Sequence, residues 1–311
     1  MILIGSSDPG AIKYFQSFYR ELNLPVVFTS SLKSSIYFKK YKIPILRKWK
    51  HLKNIKLVIT GSSLGDTIDK ELISWSRANK IYCISIIEHW TNFDKRFYYK
   101  KKKIFPDTIF VNDDLAYLMS LKEGIKKNTL FISGNPLLES ISNKYKKVTT
   151  YKNKNKLGKK ILFLSEPVSE KNLYRKQPVH EKKVLKAIIS ILPKDYQLTI
   201  KLHPREDLKK YNECLRSQEN LRVLTNLNIE KIASNYDFII GISTFLLFEL
   251  AFLRNDLISF NLGKNKFLGE KLGVSRNIKS KGSLKKIILG DEIVNNSTVE
   301  FKKKFKGSKN K

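Results

Sequence analysis

Short apolar runs alternate with longer amphipathic segments along the first half of the chain. Between the runs, segments 8–22 and 64–80 place apolar residues at helical spacing after loops rich in Gly, Ser and Asp. This alternation is typical of βα units around a parallel sheet, so we predict an α/β fold. The predicted strands of this half are 1–5, 25–29, 56–60, 81–87, 108–111 and 129–132.

The pattern is lost between residues 144 and 160, where the sequence is polar and lysine-rich, and then a second α/β series begins. We therefore predict a domain at 1–143, a basic linker at 144–160, a second domain at 161–294 and a basic tail at 295–311. The tail is either an amphipathic closing segment or frayed. The second series has predicted strands 161–164, 197–202, 221–224, 237–240 and 257–260 and predicted helices 180–192, 229–235 and 243–254.

The length and hydrophobic content of the chain are those of a protein with two folded domains. The chain has 311 residues, 41% of them hydrophobic, and its two cysteines form no CxxC pair or His/Cys cluster. No disulfide framework or zinc site is indicated. The sequence contains neither a signal-peptide pattern nor a run of about 18 apolar residues, so we expect a cytoplasmic protein without a membrane span.

The formal net charge of +32 has more than one interpretation. Lysines outnumber arginines about five to one, which argues against nucleic acid because arginine supplies the forked contacts to phosphates and bases. Most of these lysines would then be solvated surface of a lysine-rich chain. Segment 98–105 instead interleaves aromatic residues with lysines, which is typical of contact with an anionic membrane, here its inner face, or with an anionic substrate.

His203 and Pro204 follow directly after the predicted strand 197–202. A lone histidine is most often a structural residue. This one lies at the carboxyl end of a strand, where open α/β sheets bind ligands. There an imidazolium could bind a phosphate oxygen or donate a proton to a leaving phosphate.

A second candidate anion site begins at Gly241, where "GISTFLLFEL" follows the predicted strand 237–240. Ser243 and Thr244 are either ordinary helix caps or, with free N–H groups at the helix start, ligands of an anion. Glu249 interrupts an apolar helix, so its carboxylate should be paired or bound to a ligand such as ribose hydroxyls. Taking the two strands as neighbours, we expect His203 and this helix start to converge on one phosphate.

The segments "KLHPR" and D-x-x-I-G-x-S-T-x-x-x-F-E-x-A (237–251) resemble the C-terminal domain of bacterial GT-B glycosyltransferases that build surface polysaccharides such as capsule or lipopolysaccharide. Similar sequences include CMP-sugar-dependent sialyl-, polysialyl- and Kdo-transferases and CDP-glycerol glycerophosphotransferases. The resemblance implies two Rossmann-like parallel-sheet domains facing a cleft. It also implies that the second domain binds the donor nucleotide, with His203, Ser243 and Thr244 at the phosphate and Ser165 and Glu166 at the base or phosphate. Pro204, and Glu249 at the ribose, complete the predicted donor site.

Segments 84–97, 105–124 and 131–141 resemble the acceptor-side domain of GT-B transferases and of UDP-GlcNAc 2-epimerases. Glu88 ends the predicted strand 81–87, where a carboxylate could take the proton of an acceptor hydroxyl. It could equally form a structural ion pair with Arg96 or Lys95. Asp8, in the first βα loop, is a rival base whose ordinary role would be to cap the following helix.

The predicted function is metal-independent transfer of a sugar from a nucleotide-activated donor, with a CMP-sugar favoured, to a glycan or lipid-linked acceptor. We predict no cofactor and no metal site, because "NDD" at 112–114 opens a helix and fits an N-cap better than a metal motif. One alternative is a UDP-GlcNAc 2-epimerase-like isomerase, which would call for further acidic residues and a second histidine. Another is a non-catalytic basic protein that binds nucleic acid or membrane.

Overall fold

The computed structural model describes residues 1–32, 34–40, 42–146, 160–168, 181–217, 219–225, 228–263 and 267–305. The chain divides into two compact units, Met1–Ser140 and Ile141–Lys311. Most of the predicted linker, residues 147–159, lies outside the described residues. Of its two ends, Lys144 is the last residue of a helix and Lys160 the first residue of a strand.

The N-terminal unit is built on a six-stranded parallel sheet. Its strands are apolar runs, and most of their residues are buried, as expected of a parallel sheet covered by helices; Tyr82, Phe131 and Ile132 are exposed. The strands are β1 (Ile2–Gly5), β2 (Val26–Thr29), β3 (Leu57–Thr60), β4 (Tyr82–Ile87), β7 (Thr108–Val111) and β8 (Leu130–Ile132), in the order β2-β1-β3-β4-β7-β8. All six predicted strands of this unit are confirmed.

Five helices accompany this sheet: α1 (Pro9–Gln16), α2 (Ser35–Lys40), α3 (Ile68–Ala78), α4 (Asp114–Lys122) and α5 (Pro136–Lys144). A small antiparallel pair, β5 (Tyr98–Tyr99) and β6 (Lys102–Lys103), was not predicted. Its two turn residues, Lys100 and Lys101, have φ values of 47° and 65°, the left-handed conformation that a two-residue hairpin turn requires.

The C-terminal unit contains a second six-stranded parallel sheet. Its strands are β9 (Lys160–Leu164), β10 (Gln197–Lys201), β11 (Leu221–Leu224), β12 (Phe238–Gly241), β13 (Ile258–Phe260) and β14 (Arg276–Ile278), in the order β11-β10-β9-β12-β13-β14. With strands counted from β9 this is the 3-2-1-4-5-6 order of dinucleotide-binding folds, in which the order reverses between β9 and β12. The helices are α6 (Glu181–Ile189), α7 (Asn212–Ser217), α8 (Ile229–Asn235), α9 (Leu246–Leu250), α10 (Leu268–Lys271), α11 (Lys281–Leu289) and α12 (Val299–Lys304).

The first part of the predicted tail packs onto this unit. Phe301 and Phe305 of the α12 region are almost fully buried, and the Phe301 ring lies 5.8 Å from that of Phe248 and 5.5 Å from that of Phe252. The described tail is therefore a closing segment, because burying aromatic rings stabilises it against fraying.

No helix among the described residues is both long and apolar enough to span a membrane.

Candidate functional site

In the N-terminal unit, the Gly-Ser-Ser segments that follow β1 and β3 meet at one buried carboxylate. Asp69, in the first turn of α3, accepts hydrogen bonds from Ser6 Oγ at 2.9 Å, the Ser7 N–H at 3.1 Å and Ser63 Oγ at 3.3 Å. The strand order of this sheet reverses between β1 and β3, so Asp69 fills the switch point with satisfied hydrogen bonds. Sequence reasoning missed Asp69, although the repeated Gly-Ser-Ser after two strands was a signal.

Glu88 lies directly after β4 and is only 7% exposed. Among the residues that the structure describes, its Oε2 atom has no hydrogen-bond partner. A methyl group placed on Gly10 would lie 3.5 Å from Glu88 Oε1 and 3.3 Å from Asp8 Oδ1, so both candidate bases flank the start of α1.

The surroundings of Glu88 favour its protonated form near neutral pH. Burial raises the pKa of the Glu88 carboxyl from 4.5 to about 7; the charge of Arg96 opposes this rise and that of Asp8 adds to it. A buried carboxyl that has an unbonded oxygen and titrates near neutral pH is suited to give and take a proton.

The structural ion pair expected as the alternative for Glu88 is not formed among the described residues. Arg96 instead donates from Nε to the Thr91 carbonyl at 2.9 Å and from Nη1 to the Ser62 carbonyl at 3.1 Å. Lys95 is exposed. Arg96 therefore acts on Glu88 through its charge and, through its hydrogen bonds, connects the loops that follow β3 and β4.

Asp8 has the ordinary role predicted for it. Its carboxylate accepts a hydrogen bond from the Gly10 N–H at 2.9 Å and caps the N-terminus of α1. Its role as the rival base remains a prediction.

A buried tryptophan fixes the loop that carries Glu88. Trp90 is fully buried and donates from Nε1 to Asp113 Oδ1 at 2.9 Å, while His89 Nδ1 accepts from the Trp90 N–H at 3.0 Å. Asp113 also caps α4 through the Ala116 N–H at 2.8 Å, which confirms the N-cap interpretation of "NDD". Within the part of the chain that the structure describes, no cluster of three His, Cys, Asp or Glu side chains could hold a metal ion.

Lys70, next to Asp69 on α3, is fully buried, and its Nζ has no hydrogen-bond partner within the described ranges. Burial lowers the pKa of the Lys70 ammonium from 10.5 to about 8, and the charge of Asp69 opposes this change. Sequence reasoning missed Lys70, because a lysine on an amphipathic helix is ordinarily solvated.

In the C-terminal unit, Glu166 joins the loops that follow β9 and β12. The Ser243 N–H donates to Glu166 Oε1 at 2.6 Å, and Ser243 Oγ donates to Oε2 at 2.8 Å. We expected free N–H groups at this helix start, but the Ser243 N–H is bonded to a carboxylate. The reason is topological: β9 lies beside β12, so the residues after the two strands come together.

The predicted helix 243–254 is also shorter than expected. The α9 helix begins only at Leu246 and ends at Leu250. Ser243 is therefore not its cap, and Thr244 Oγ1 accepts instead from the Leu246 N–H at 3.3 Å. Glu249 is buried within α9, and its contact with a ribose remains a prediction.

A buried network holds the His203 loop. Glu206 accepts from the His203 N–H at 2.8 Å and from Ser165 Oγ at 2.8 Å, and its side chain forms an ion pair with Lys210 at 2.5 Å. Lys210 also pairs with the buried Glu181. Sequence reasoning missed Glu206 and Lys210, because acidic and basic residues in a polar loop are ordinarily solvated.

The ring of His203 is oriented by its own loop. Its Nδ1 accepts from the Arg205 N–H at 3.2 Å, so in the neutral ring the proton lies on Nε2, which can donate. Pro204 is exposed beside it. The strands that carry His203 and Ser243 are not neighbours as predicted, because β9 lies between them. Both loops are linked instead through Ser165 and Glu166, which follow β9.

No protein-family model matches this sequence, and no curated protein matches it. Solved structures do match. The UDP-GlcNAc 2-epimerase of Methanocaldococcus jannaschii, in complex with UDP-GlcNAc and UDP, is similar at 16% identity with a TM-score of 0.63, covering 98% of this chain and 97% of that one. The two-domain fold is GT-B-like.

Two further structures share this fold. The UDP-GlcNAc 2-epimerase of Neisseria meningitidis bound to UDP-GlcNAc is 14% identical, with a TM-score of 0.62 over 98% of this chain and 92% of that one. Anabaena Alr3699/HepE in complex with UDP and glucose is 10% identical, with a TM-score of 0.57 over 92% of this chain and 88% of that one. The predicted fold is thus confirmed, while identities this low leave the reaction open.

Proposed function

We propose that this chain is a nucleotide-sugar enzyme that uses Glu88 as its proton-transfer group. The observation that carries the proposal is the buried Glu88 carboxyl, whose Oε2 has no hydrogen-bond partner in the described part of the chain and whose pKa is raised to about 7. Burying a carboxyl in this way destabilises the ionised form, and such arrangements cluster at functional sites. The fold supports the proposal, since the similar structures contain UDP or UDP-GlcNAc.

The C-terminal unit would bind the nucleotide. His203 and Ser243 follow strands on either side of β9, at the carboxyl edge where sheets of this order bind ligands. A donor nitrogen at His203 Nε2 and the N–H and hydroxyl of Ser243 suit phosphate oxygens. Stabilising the charge that develops on the leaving phosphate would be their main contribution to the rate.

The first candidate reaction is glycosyl transfer to a glycan or lipid-linked acceptor. The bond from the sugar carbon to the donor phosphate breaks as the acceptor oxygen bonds to that carbon, and Glu88 takes the hydroxyl proton. This reaction moves one proton and therefore needs one carboxylate as a base, which Glu88 can supply. Asp69, a fully buried carboxylate of the same unit, already accepts hydrogen bonds from Ser6, Ser7 and Ser63.

The second candidate is 2-epimerisation of UDP-GlcNAc. The structural comparisons support it better than transfer, because several of the similar structures are UDP-GlcNAc 2-epimerases. Inversion at carbon 2 balances if a base removes the proton of carbon 2 while the bond from carbon 1 to the UDP phosphate breaks, which leaves a double bond between carbons 1 and 2. UDP then bonds to carbon 1 again as an acid returns a proton to the other face of carbon 2. Glu88 would supply one of these two groups, and Asp8, which also flanks the start of α1, is a candidate for the second.

Proton NMR of UDP-GlcNAc in deuterated water, with the protein and no acceptor, separates the two reactions. An epimerase gives a second sugar nucleotide with deuterium at carbon 2, whereas a transferase gives at most slow release of UDP. A screen of CMP-, CDP-, UDP- and GDP-linked ligands for a rise in melting temperature identifies the nucleotide, because a ligand that binds only the folded state stabilises it. No rise with any of them would contradict nucleotide-sugar binding.

The β5–β6 hairpin is the proposed contact with an anionic membrane. Lys100, Lys101, Lys102 and Lys103 are all exposed, and Lys103 Nζ lies 5.4 Å from the centre of the exposed Tyr98 ring. Clustered lysines beside an exposed aromatic ring are suited to an anionic interface.

A further inference from the structure

The carboxylate of Glu166 holds the two donors that the proposed nucleotide site needs. Its Oε1 and Oε2 atoms accept from Ser243 N at 2.6 Å and Ser243 Oγ at 2.8 Å. A carboxylate that accepts two parallel hydrogen bonds places its oxygens as a phosphate would place two of its own. The Ser243 loop is thus already filled by an anion that belongs to the protein.

The contact between Glu166 and Ser243 lies at the position in the sheet where a ligand is expected. Glu166 follows β9 and Ser243 follows β12, and the strand order reverses between these two strands. Ligands of doubly wound sheets bind at this reversal. In the N-terminal unit the corresponding position is filled by Asp69, which is fully buried and whose donors are all within the fold. Glu166, in contrast, is only partly buried.

We infer that Glu166 is an internal competitor of the donor phosphate, which must displace this carboxylate from Ser243 before it can bind. The inference rests on the proposed function for the identity of the ligand. A phosphate that bonds to Ser243 would come within about 4 Å of the Glu166 carboxylate, where like charges repel strongly in a partly buried site. The two anions therefore exclude each other. This also reverses the expectation from sequence that Glu166 helps to bind the donor.

The consequence is that removing the carboxylate should tighten anion binding. Charge-assisted hydrogen bonds of this kind contribute enough that their release lowers the apparent affinity roughly tenfold to hundredfold. Glu166→Ala should recover that factor, and Glu166→Gln, which keeps the size of the side chain and loses its charge, should recover part of it. Ser243→Ala in the Glu166→Ala background should lose much of the gain, because the hydroxyl donor is gone.

Isothermal titration calorimetry with UDP, CMP and inorganic pyrophosphate at one ionic strength tests this. The matched control is Glu300→Ala, which removes one negative charge from the exposed α12 of the same unit. Tighter binding in both Glu166 variants and not in Glu300→Ala supports the inference. Equal tightening in the control would mean a general charge effect and would overturn it.

The remaining outcomes separate this inference from the proposed function. If nucleotides bind the wild type and the Glu166 variants bind them equally or more weakly, Glu166 is a structural bridge or a ligand contact, and the inference is wrong while the function stands. If pyrophosphate binding tightens in the variants but no nucleotide binds any of them, the inference stands and the proposed function fails. No binding of any probe to any variant would refute both.

Discussion

Replacing Glu88 by glutamine should stabilise the N-terminal unit at pH 8 and leave its stability unchanged near pH 4. The pKa of this carboxyl is 4.5 when exposed and about 7 in the folded chain. Between these values the folded state holds a proton that the unfolded state has lost, so the stability of the wild type falls as pH rises. Above pH 7 the full cost is about 3 kcal/mol. Glutamine carries no charge at any of these pH values and avoids this cost.

Tryptophan fluorescence during urea unfolding measures the difference, because Trp49, Trp75 and Trp90 are the three tryptophans of the chain and all lie in the N-terminal unit. Wild type and Glu88→Gln should have equal midpoints near pH 4 and diverge progressively up to about pH 7. The control is Glu21→Gln, the same change at an exposed position of the same unit. A variant that is less stable than the wild type at pH 8, or a difference that does not change with pH, would refute the reasoning.

Three more predictions concern single features. Lys70→Met should stabilise the same unit by about 3 kcal/mol at pH 7, because the pKa of the Lys70 ammonium is lowered to about 8 in the folded chain. This gain in stability should vanish as the pH rises towards 10.5. A difference in urea unfolding that does not change with pH would contradict this prediction. His203→Ala should lower turnover by about a hundredfold or more while the melting temperature is kept, so wild-type turnover would remove His203 from the phosphate site. The double substitution Lys101→Gln and Lys102→Gln should weaken co-sedimentation of the protein with anionic liposomes at low salt. If the wild type binds neutral liposomes equally well, these lysines are ordinary surface residues.

The strands of both units could be predicted from sequence because parallel strands buried on both faces are continuous apolar runs. The strand β14 (Arg276–Ile278) could not be predicted in this way, because it lies at the edge of its sheet and contains Arg and Asn. The β5–β6 hairpin could not be predicted either, because its turn is made by Lys100 and Lys101 rather than by the usual glycine or asparagine.

The candidate site could be predicted in part, for a physical reason. Residues that follow strands can be placed at the carboxyl edge of a sheet from sequence alone, which is how Glu88, His203 and Ser243 were found. Which of them bond to each other depends on the strand order, and the sequence does not show that β9 lies between β10 and β12. The Glu166 contact with Ser243 follows from that order, and so does the burial of Asp69 between β1 and β3.

The most direct test of the account compares turnover and binding in Glu88→Gln and wild type, with the nucleotide sugar that the melting-temperature screen identifies. If Glu88 moves the proton, the variant should bind the nucleotide sugar as tightly as the wild type and turn it over at least about a hundred times more slowly. In the wild type, turnover should change with pH through a group that titrates near 7, and this dependence should be absent in the variant. Wild-type turnover by Glu88→Gln, with the same pH profile, would contradict the central claim.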